Sequence, residues 1–110
     1  GGSIVLAQPV PGTAGVNNTF TVTGCTPNSI VGFYVGQALG TNTIVRPTCP
    51  LGVQIGIGSP FRLLGAVRAN ASGVATLVTL APATSAGKTF HFQVVDQIKC
   101  QASNLVTEQY

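Results

Sequence analysis

The sequence holds only six Cys, His, Asp and Glu side chains, the types that most often supply nucleophiles, acid–base groups and metal ligands. They are Cys25, Cys49, Cys100, His91, Asp96 and Glu108. General acid–base catalysis needs positioned groups with a shifted pKa, and only the last three are candidates for it. No Gly-x-Ser-x-Gly motif and no phosphate-binding glycine loop occurs. We therefore expect no enzymatic activity, no catalytic residue and no cofactor.

The spacing of the cysteines does not predict a metal site. They are too far apart for a CxxC zinc or redox motif. A structural zinc site would require all three cysteines together with His91, and we expect none. Because His91 lies in the middle of a predicted strand among residues that point outward, we interpret it as an ordinary surface histidine.

Two of the cysteines lie in loops, where a disulfide is most easily accommodated. Cys49 is in "RPTCPLG" and Cys100 is in "IKCQASN", and loop residues can adjust to the short Cα separation that the bond demands. We expect a Cys49–Cys100 disulfide. It would close a loop of about 50 residues and stabilise the fold by about 4 kcal/mol in the chain-entropy model. Such a bond indicates an oxidising compartment.

The third cysteine, Cys25, lies in the turn "GCTPN" between two alternating apolar segments. One interpretation is a small buried hydrophobic residue that packs under the turn. A second is an intermolecular disulfide with a neighbouring copy, because an odd cysteine in a secreted protein suggests this. A bond from Cys25 to Cys49 or Cys100 is the third alternative.

The composition predicts a folded domain with a neutral surface. Hydrophobic residues make up 45% of the chain and charged residues only 6%, against about a quarter charged in average soluble proteins. Little like charge is present to keep copies apart. The five cations are scattered and not clustered as in nucleic-acid-binding proteins, so we expect no nucleic-acid partner. No stretch has the ~20 mostly apolar residues of a membrane-spanning helix, so we expect no membrane insertion.

The elements that must position these residues are short strands. The 14 Gly and 7 Pro residues interrupt the chain every few positions, and no apolar period of a helix is present. Alternating or β-branched segments predict strands, with a loop at 37–50. The strands 61–69 and 74–81 are predicted to form a hairpin. The predicted strands are 3–10, 17–24, 30–36, 52–58, 61–69, 74–81, 88–96 and 104–110.

Seven to eight short strands separated by turns indicate an all-β fold. The pattern favours a single antiparallel β-sandwich over residues 1–110, of the immunoglobulin-like or Greek-key type. A small Greek-key barrel or jelly roll is the alternative. The segment 88–96 alternates most clearly. Its predicted inward residues are Phe90, Phe92 and Val94, and its predicted outward residues are Thr89, His91 and Gln93.

The first 16 residues form either the first strand of the domain or an arm. Ile4, Val5 and Leu6 are apolar, and the prolines and glycines between them and the next strand separate the two segments. Such an arm could act as a donor strand that pairs with the sheet edge of another copy. The other interpretation is that residues 3–8 are the domain's own first strand.

The order of motifs resembles an immunoglobulin-like β-sandwich domain of secreted and surface proteins of bacteria such as planctomycetes and myxobacteria. The segments are "TVTGCTPNSIVGFYVG", "CPLGVQIGIGSPFRLLGAVRANASGVATLV" and "TFHFQVVDQIKCQASNLVTEQY", within residues 17–110. The matching residues are Gly24, Thr26, Pro27, Asn28, Cys49, Gly52, Ala69, Ala71, Gly73, Ala75, Phe92, Gln93, Cys100, Ser103 and Asn104.

The resemblance implies export from the cell and a disulfide between Cys49 and Cys100. It transfers no catalytic residue. Cys25 departs from the family pattern, where a small residue such as Ala is usual, and this fits a small buried filler.

These observations predict a non-enzymatic extracellular structural protein that associates with itself in a surface filament or coat. The alternative is a binding or spacer module of a larger secreted protein, for which glycans are a weak candidate because exposed aromatic residues are few. The Asn17 and Asn70 triplets match the N-glycosylation pattern, and we interpret both first as turn residues.

Overall fold

The structure, a computed structural model, describes residues 3–110, and their regular secondary structure is almost entirely β-strand. All strand pairs are antiparallel, and the predicted fold class is confirmed. One 3₁₀ turn, Ala83–Ser85, interrupts the strand order. The strands are β1 (Val5–Leu6), β2 (Asn17–Thr23), β3 (Ile30–Gly36), β4 (Leu39–Arg46), β5 (Cys49–Ile57), β6 (Phe61–Arg68), β7 (Ala75–Leu80), β8 (Thr89–Asp96), β9 (Gln101–Ala102) and β10 (Val106–Gln109).

The strands form three sheets. Sheet A has the order β1-β2-β7, and sheet B has the order β10-β8-β3-β6 with β9 paired to the far end of β8. The third sheet is the β4-β5 hairpin. Sheets A and B enclose the main core, in which the rings of Phe20 and Phe92 lie 4.7 Å apart between centroids. These two sheets are the sandwich that the sequence predicts.

The β4-β5 hairpin covers the opposite face of sheet B. Tyr34 of β3 and Val95 of β8 belong to a second apolar cluster, together with buried residues of the hairpin. The hairpin members of that cluster are Ile44, Cys49, Val53, Ile55 and Ile57. The central strands β3 and β8 are therefore buried on both faces.

Two sequence predictions about side chains are wrong for this reason. His91 and Gln93 were expected on a solvent-facing side of β8, but they are only 8% and 9% exposed. Alternation along β8 correctly separates the two faces, since Phe92 and Val94 lie in the main core. It could not show that a second layer and the neighbouring strands bury the other face as well.

The predicted loop at 37–50 is also wrong, because residues 39–46 form β4. Gly40 and Asn42 are of residue types that are depleted in strands. Pairing with β5 overrides this preference, and the buried Ile44 anchors the strand in the second cluster. The Asn42 side chain further donates a hydrogen bond from Nδ2 to the Ile57 carbonyl at 2.7 Å.

The predicted hairpin between β6 and β7 is replaced by a crossing between sheets. β6 pairs with β3 in sheet B, and β7 pairs with β2 in sheet A. The Asn70 side chain shapes the turn by accepting hydrogen bonds at Oδ1 from Ser72 N and Val74 N. Gly73 has a φ of +76° and lies against the Cys25 carbonyl, so a side chain there would be both strained and obstructed.

The hairpin layer predicts that truncation of Ile55 is costly. Ile55→Ala removes buried methyl groups from a residue that is 2% exposed, and we expect a loss of about 2–5 kcal/mol in the free energy of unfolding. Urea titration followed by circular dichroism measures this. The control is Val45→Ala in the same hairpin, where the side chain is 58% exposed. A loss below about 1 kcal/mol for Ile55→Ala would contradict the packing of the hairpin on sheet B.

Candidate functional site

The structure joins Cys49 to Cys100 by a disulfide, with 5.6 Å between their Cα atoms. Cys49 is the first residue of β5, and Cys100 ends the turn that follows β8. The bond therefore ties the end of the β4-β5 hairpin to sheet B. Beside it, the Thr48 hydroxyl donates a 2.6 Å hydrogen bond to the carbonyl of Gln97. Disulfides persist in oxidising compartments, which is where this bond suggests that the chain resides.

Asp96 is fully buried at the end of β8, and its carboxylate is used by the backbone. Oδ2 accepts a 2.7 Å hydrogen bond from Thr26 N, across a sequence separation of 70 residues. Oδ1 accepts hydrogen bonds from Ile98 N at 2.9 Å and Lys99 N at 3.1 Å. One carboxylate therefore shapes its own turn and fixes a distant one.

The pKa of the Asp96 carboxyl reflects these contacts. Burial alone would raise it, but the N–H groups of Thr26, Ile98 and Lys99 bond to the charged form and bring the pKa below its ordinary value of 3.8. The Lys99 ammonium also donates a 2.6 Å hydrogen bond to the Gly24 carbonyl. Asp96 is thus held as a carboxylate at neutral pH and is unsuited to act as a general acid.

Cys25 is a free thiol in the main core, with 4% exposure. Burial raises the pKa of its thiol, the nearby Asp96 carboxylate raises it further, and the Lys99 ammonium acts in the opposite direction. Because the thiolate is the reactive form, this environment suppresses its reactivity. The placement fits the small buried filler among the three interpretations.

The remaining candidate groups do not converge. His91 Nδ1 and the Thr107 hydroxyl lie 2.8 Å apart, on the face of sheet B that also carries Gln93. Glu108 follows Thr107 along β10, so its side chain points to the other face. Asp96 lies at the opposite end of β8 from His91. These three groups therefore form no acid–base constellation.

Residues of the N-terminal segment pair with their own chain in this structure. Ile4 and Leu6 are buried in the main core, and Val5 is 51% exposed. β1 pairs with β2, and the Asn104 side chain holds the other edge of β1: Oδ1 accepts from Leu6 N at 2.8 Å, and Nδ2 donates to Leu6 O at 3.1 Å. The amide of Asn104 thus takes the place of a neighbouring strand.

A cleft of about 690 Å³ lies between the N-terminal segment, β5 and β9. Among residues 3–110, the lining of this cleft has no charged side chain and no aromatic ring. The side chains with hydrogen-bonding groups in that lining are Ser3, Gln54, Gln93, Gln101, Ser103 and Asn104. Of these, Gln93 is already engaged, accepting at Oε1 from Gly56 N at 2.8 Å and donating from Nε2 to Ser103 O at 2.7 Å.

Residues 3–110 contain neither a metal-binding cluster nor a membrane-spanning helix. No three His, Cys, Asp or Glu side chains in this range come close enough to hold a metal ion. No helix in the same range is long and apolar enough to cross a bilayer.

Sequence reasoning missed the polar residues that organise the fold. Asp96, Asn104 and Gln93 each bond to backbone groups far away in sequence, and Ser103 accepts a hydrogen bond from Val94 N. No buried side-chain nitrogen or oxygen in the described part of the chain lacks a partner. The available signal is the "QASN" motif after Cys100. Its Ser103 and Asn104 match the pattern of the resembling family, but the sequence predicts no role for them. The Asn70 side chain bonds to the backbone of its own turn, in agreement with its interpretation as a turn residue.

Comparison of the chain with family models, with curated protein sequences and with solved structures returned no match. The class of protein is therefore defined by its own structure: an antiparallel all-β domain with one disulfide and one buried thiol.

The hydrogen-bonded Asp96 carboxylate predicts that the free energy of unfolding decreases at acidic pH. Because its folded pKa is lowered, its contribution is complete above its ordinary pKa of 3.8 and is lost as the pH falls through the folded value. Asp96→Asn presents an amide N–H₂ or a weaker acceptor to Thr26 N, and we expect a loss of about 2–3 kcal/mol at pH 7. Urea unfolding at pH 7 and at several values below pH 4 measures both effects.

The matched control is Glu108→Gln, which removes the other acid of the chain from a half-buried strand position. It should leave the acid-dependent loss of stability in place, whereas Asp96→Asn should abolish most of it. Equal stability of the two variants at pH 7 would contradict the role given to Asp96.

Proposed function

We propose that this protein is a non-enzymatic extracellular structural protein, a subunit that associates with other copies in a surface filament or coat. The observation that carries the proposal is the use of its few reactive side chains. Asp96 and the Cys49–Cys100 pair hold the layers together, and Cys25 is a buried filler of the main core. What the molecule offers to a partner is its strands and their surfaces.

The surface of sheet A supports self-association. β1, β2 and β7 contain no charged residue, and their outward positions carry threonine and aliphatic side chains together with Asn17. Two copies that approach through this sheet meet no like-charge repulsion. The most exposed aliphatic residues of the sheet are Val5, Val78 and Leu80.

In this proposal the N-terminal segment links the subunits. Ile4, Val5 and Leu6 complete the edge of sheet A, and the same site on a second copy would accept the same residues. Exchange of an identical element costs little because every contact of the closed form is made again. Each subunit would then hold the next by strand addition.

The connection after this segment is the part that must open. Asn18 is fully buried and folds it, accepting at Oδ1 from Gly12 N and Thr13 N and donating from Nδ2 to Thr13 O and Val16 O. Opening the connection would break these hydrogen bonds. Exchange is therefore expected to be slow and to favour high protein concentration.

Export to the cell surface is part of the proposal. The disulfide supports an oxidising compartment. The resemblance to secreted bacterial β-sandwich domains supports the extracellular location more specifically.

A second candidate function is a binding or spacer module of a larger secreted protein. The neutral cleft beside β5 and β9 favours it, since exposed amides and hydroxyls hydrogen-bond well to uncharged glycans. The lack of an aromatic ring in the cleft weakens the glycan version. A panel of neutral glycans that gives no chemical-shift change at Gln54 or Gln101 would set this version aside.

Exchange of the N-terminal segment predicts covalent ladders from a paired cysteine variant. Val5 and Thr23 lie opposite each other in β1 and β2, at the ~5.5 Å Cα separation of a hydrogen-bonded pair, which a disulfide tolerates. In a Cys25→Ala background, Val5→Cys with Thr23→Cys should link copies after incubation at high concentration. Non-reducing gels should show a ladder that collapses on reduction.

The control is Thr21→Cys with Thr76→Cys, which spans β2 and β7 within the body of sheet A. This pair should close within one chain and run as a monomer. If both pairs run as monomers at every concentration, the N-terminal segment does not exchange.

A further inference from the structure

β7 differs from the other sheet edges in having no feature that blocks pairing. It forms one edge of sheet A and pairs with β2 in unbroken register over all six of its residues. The strand "ATLVTL" carries no charge, proline or glycine. Val78 and Leu80 are 56% and 59% exposed. Regular, uncharged edges with exposed aliphatic side chains readily accept another strand.

The other edges each carry a feature known to prevent such pairing. β6 bears Arg62 and Arg68, and β4 has two register irregularities against β5. β5 contains Pro50, β1 and β9 have two residues each, and β10 bears Glu108. The contrast singles out β7 as the edge left open.

The hydrogen-bond pattern shows which backbone groups of β7 are available. Ala81 N donates to Val16 O in continuation of the β2–β7 register. Because hydrogen-bonded pairs recur at every second residue, Ala75, Leu77 and Thr79 bond to β2. The N–H and C=O groups of the alternate residues, Thr76, Val78 and Leu80, therefore face away from the sheet.

We propose that β7 binds β7 of a second copy, antiparallel about a two-fold axis at Val78. In this register Val78 lies opposite Val78 of the second copy, and Thr76 lies opposite its Leu80. Outward side chains then meet outward side chains, as the pleat requires. The three edge-facing residues of each copy make about six hydrogen bonds in all. The two A sheets become one six-stranded sheet.

The contact is expected to be weak and reversible. Six strand residues span only about 20 Å, which places the interface at the small end of specific contacts. No charged residue lies on the edge itself, so the two copies bring no like charges directly opposite each other. The inference deepens the proposed self-association by naming a second contact, which does not use the N-terminal segment.

Sedimentation equilibrium of the intact protein over a range of concentrations tests this contact. Wild-type protein should show a monomer–dimer equilibrium, and Val78→Lys should weaken it at least about tenfold because edge lysines oppose pairing. The control is Leu51→Lys, at a side chain that is 97% exposed and outside sheet A. It should leave the dimer unchanged.

A backbone variant tests the hydrogen bonds themselves. Val78→Pro removes an N–H that the monomer does not use and is expected to keep the β circular dichroism spectrum while losing the dimer. Thr79→Pro removes an N–H directed at β2 and should destabilise the monomer. A wild-type protein that stays monomeric at millimolar concentration overturns the proposal, as does equal weakening by Val78→Lys and Leu51→Lys.

The result of the β7 test can be distinguished from the result of the test of the proposed function. If the β7 contact fails while the Val5/Thr23 cysteine pair still forms ladders, self-association through the N-terminal segment stands. If both fail, no self-association is left to support the filament or coat.

Discussion

The turn from Asp96 to Cys100 is the point on which the three layers of the molecule depend. Its Asp96 carboxylate reaches the backbone of Thr26, at the turn that leads from sheet A into sheet B. Lys99 bonds to the same turn at Gly24. At its other end, Cys100 holds the β4-β5 hairpin through Cys49. A polar contact and a covalent one thus fix both outer layers to the end of a single central strand.

This arrangement explains the unusual composition. The central strands β3 and β8 of sheet B are buried on both faces, so even polar residues of β8 such as His91 and Gln93 are removed from water. Buried polar groups are tolerated only where they are hydrogen-bonded. The Gln93 side chain bonds to the Gly56 N–H in β5 and to the Ser103 carbonyl just after β9. A chain with almost no charge can fold in three layers because amides and hydroxyls, together with one carboxylate, serve as its internal connectors.

Much of the fold could be predicted from local patterns. Alternation and β-branching located most strands, and the loop cysteines suggested the disulfide that the structure contains. The strand at 39–46 was not predicted, because Gly40 and Asn42 are disfavoured in strands and its extended form depends on pairing with β5. The roles of Asp96 and Asn104 were equally hidden, since each bonds to backbone 70 or more residues away. Such contacts follow from topology, and the two-residue alternation of a strand does not encode topology.

The central claim is that the Asp96–Cys100 turn opens only when the whole molecule unfolds, and native-state hydrogen exchange tests it most directly. The amides of Thr26 and Ile98, which donate to the Asp96 carboxylate, should exchange with the same opening free energy as the core amides of β3 and β8. Exchange of these two amides through a local opening, several kcal/mol below that of the core, would contradict the account.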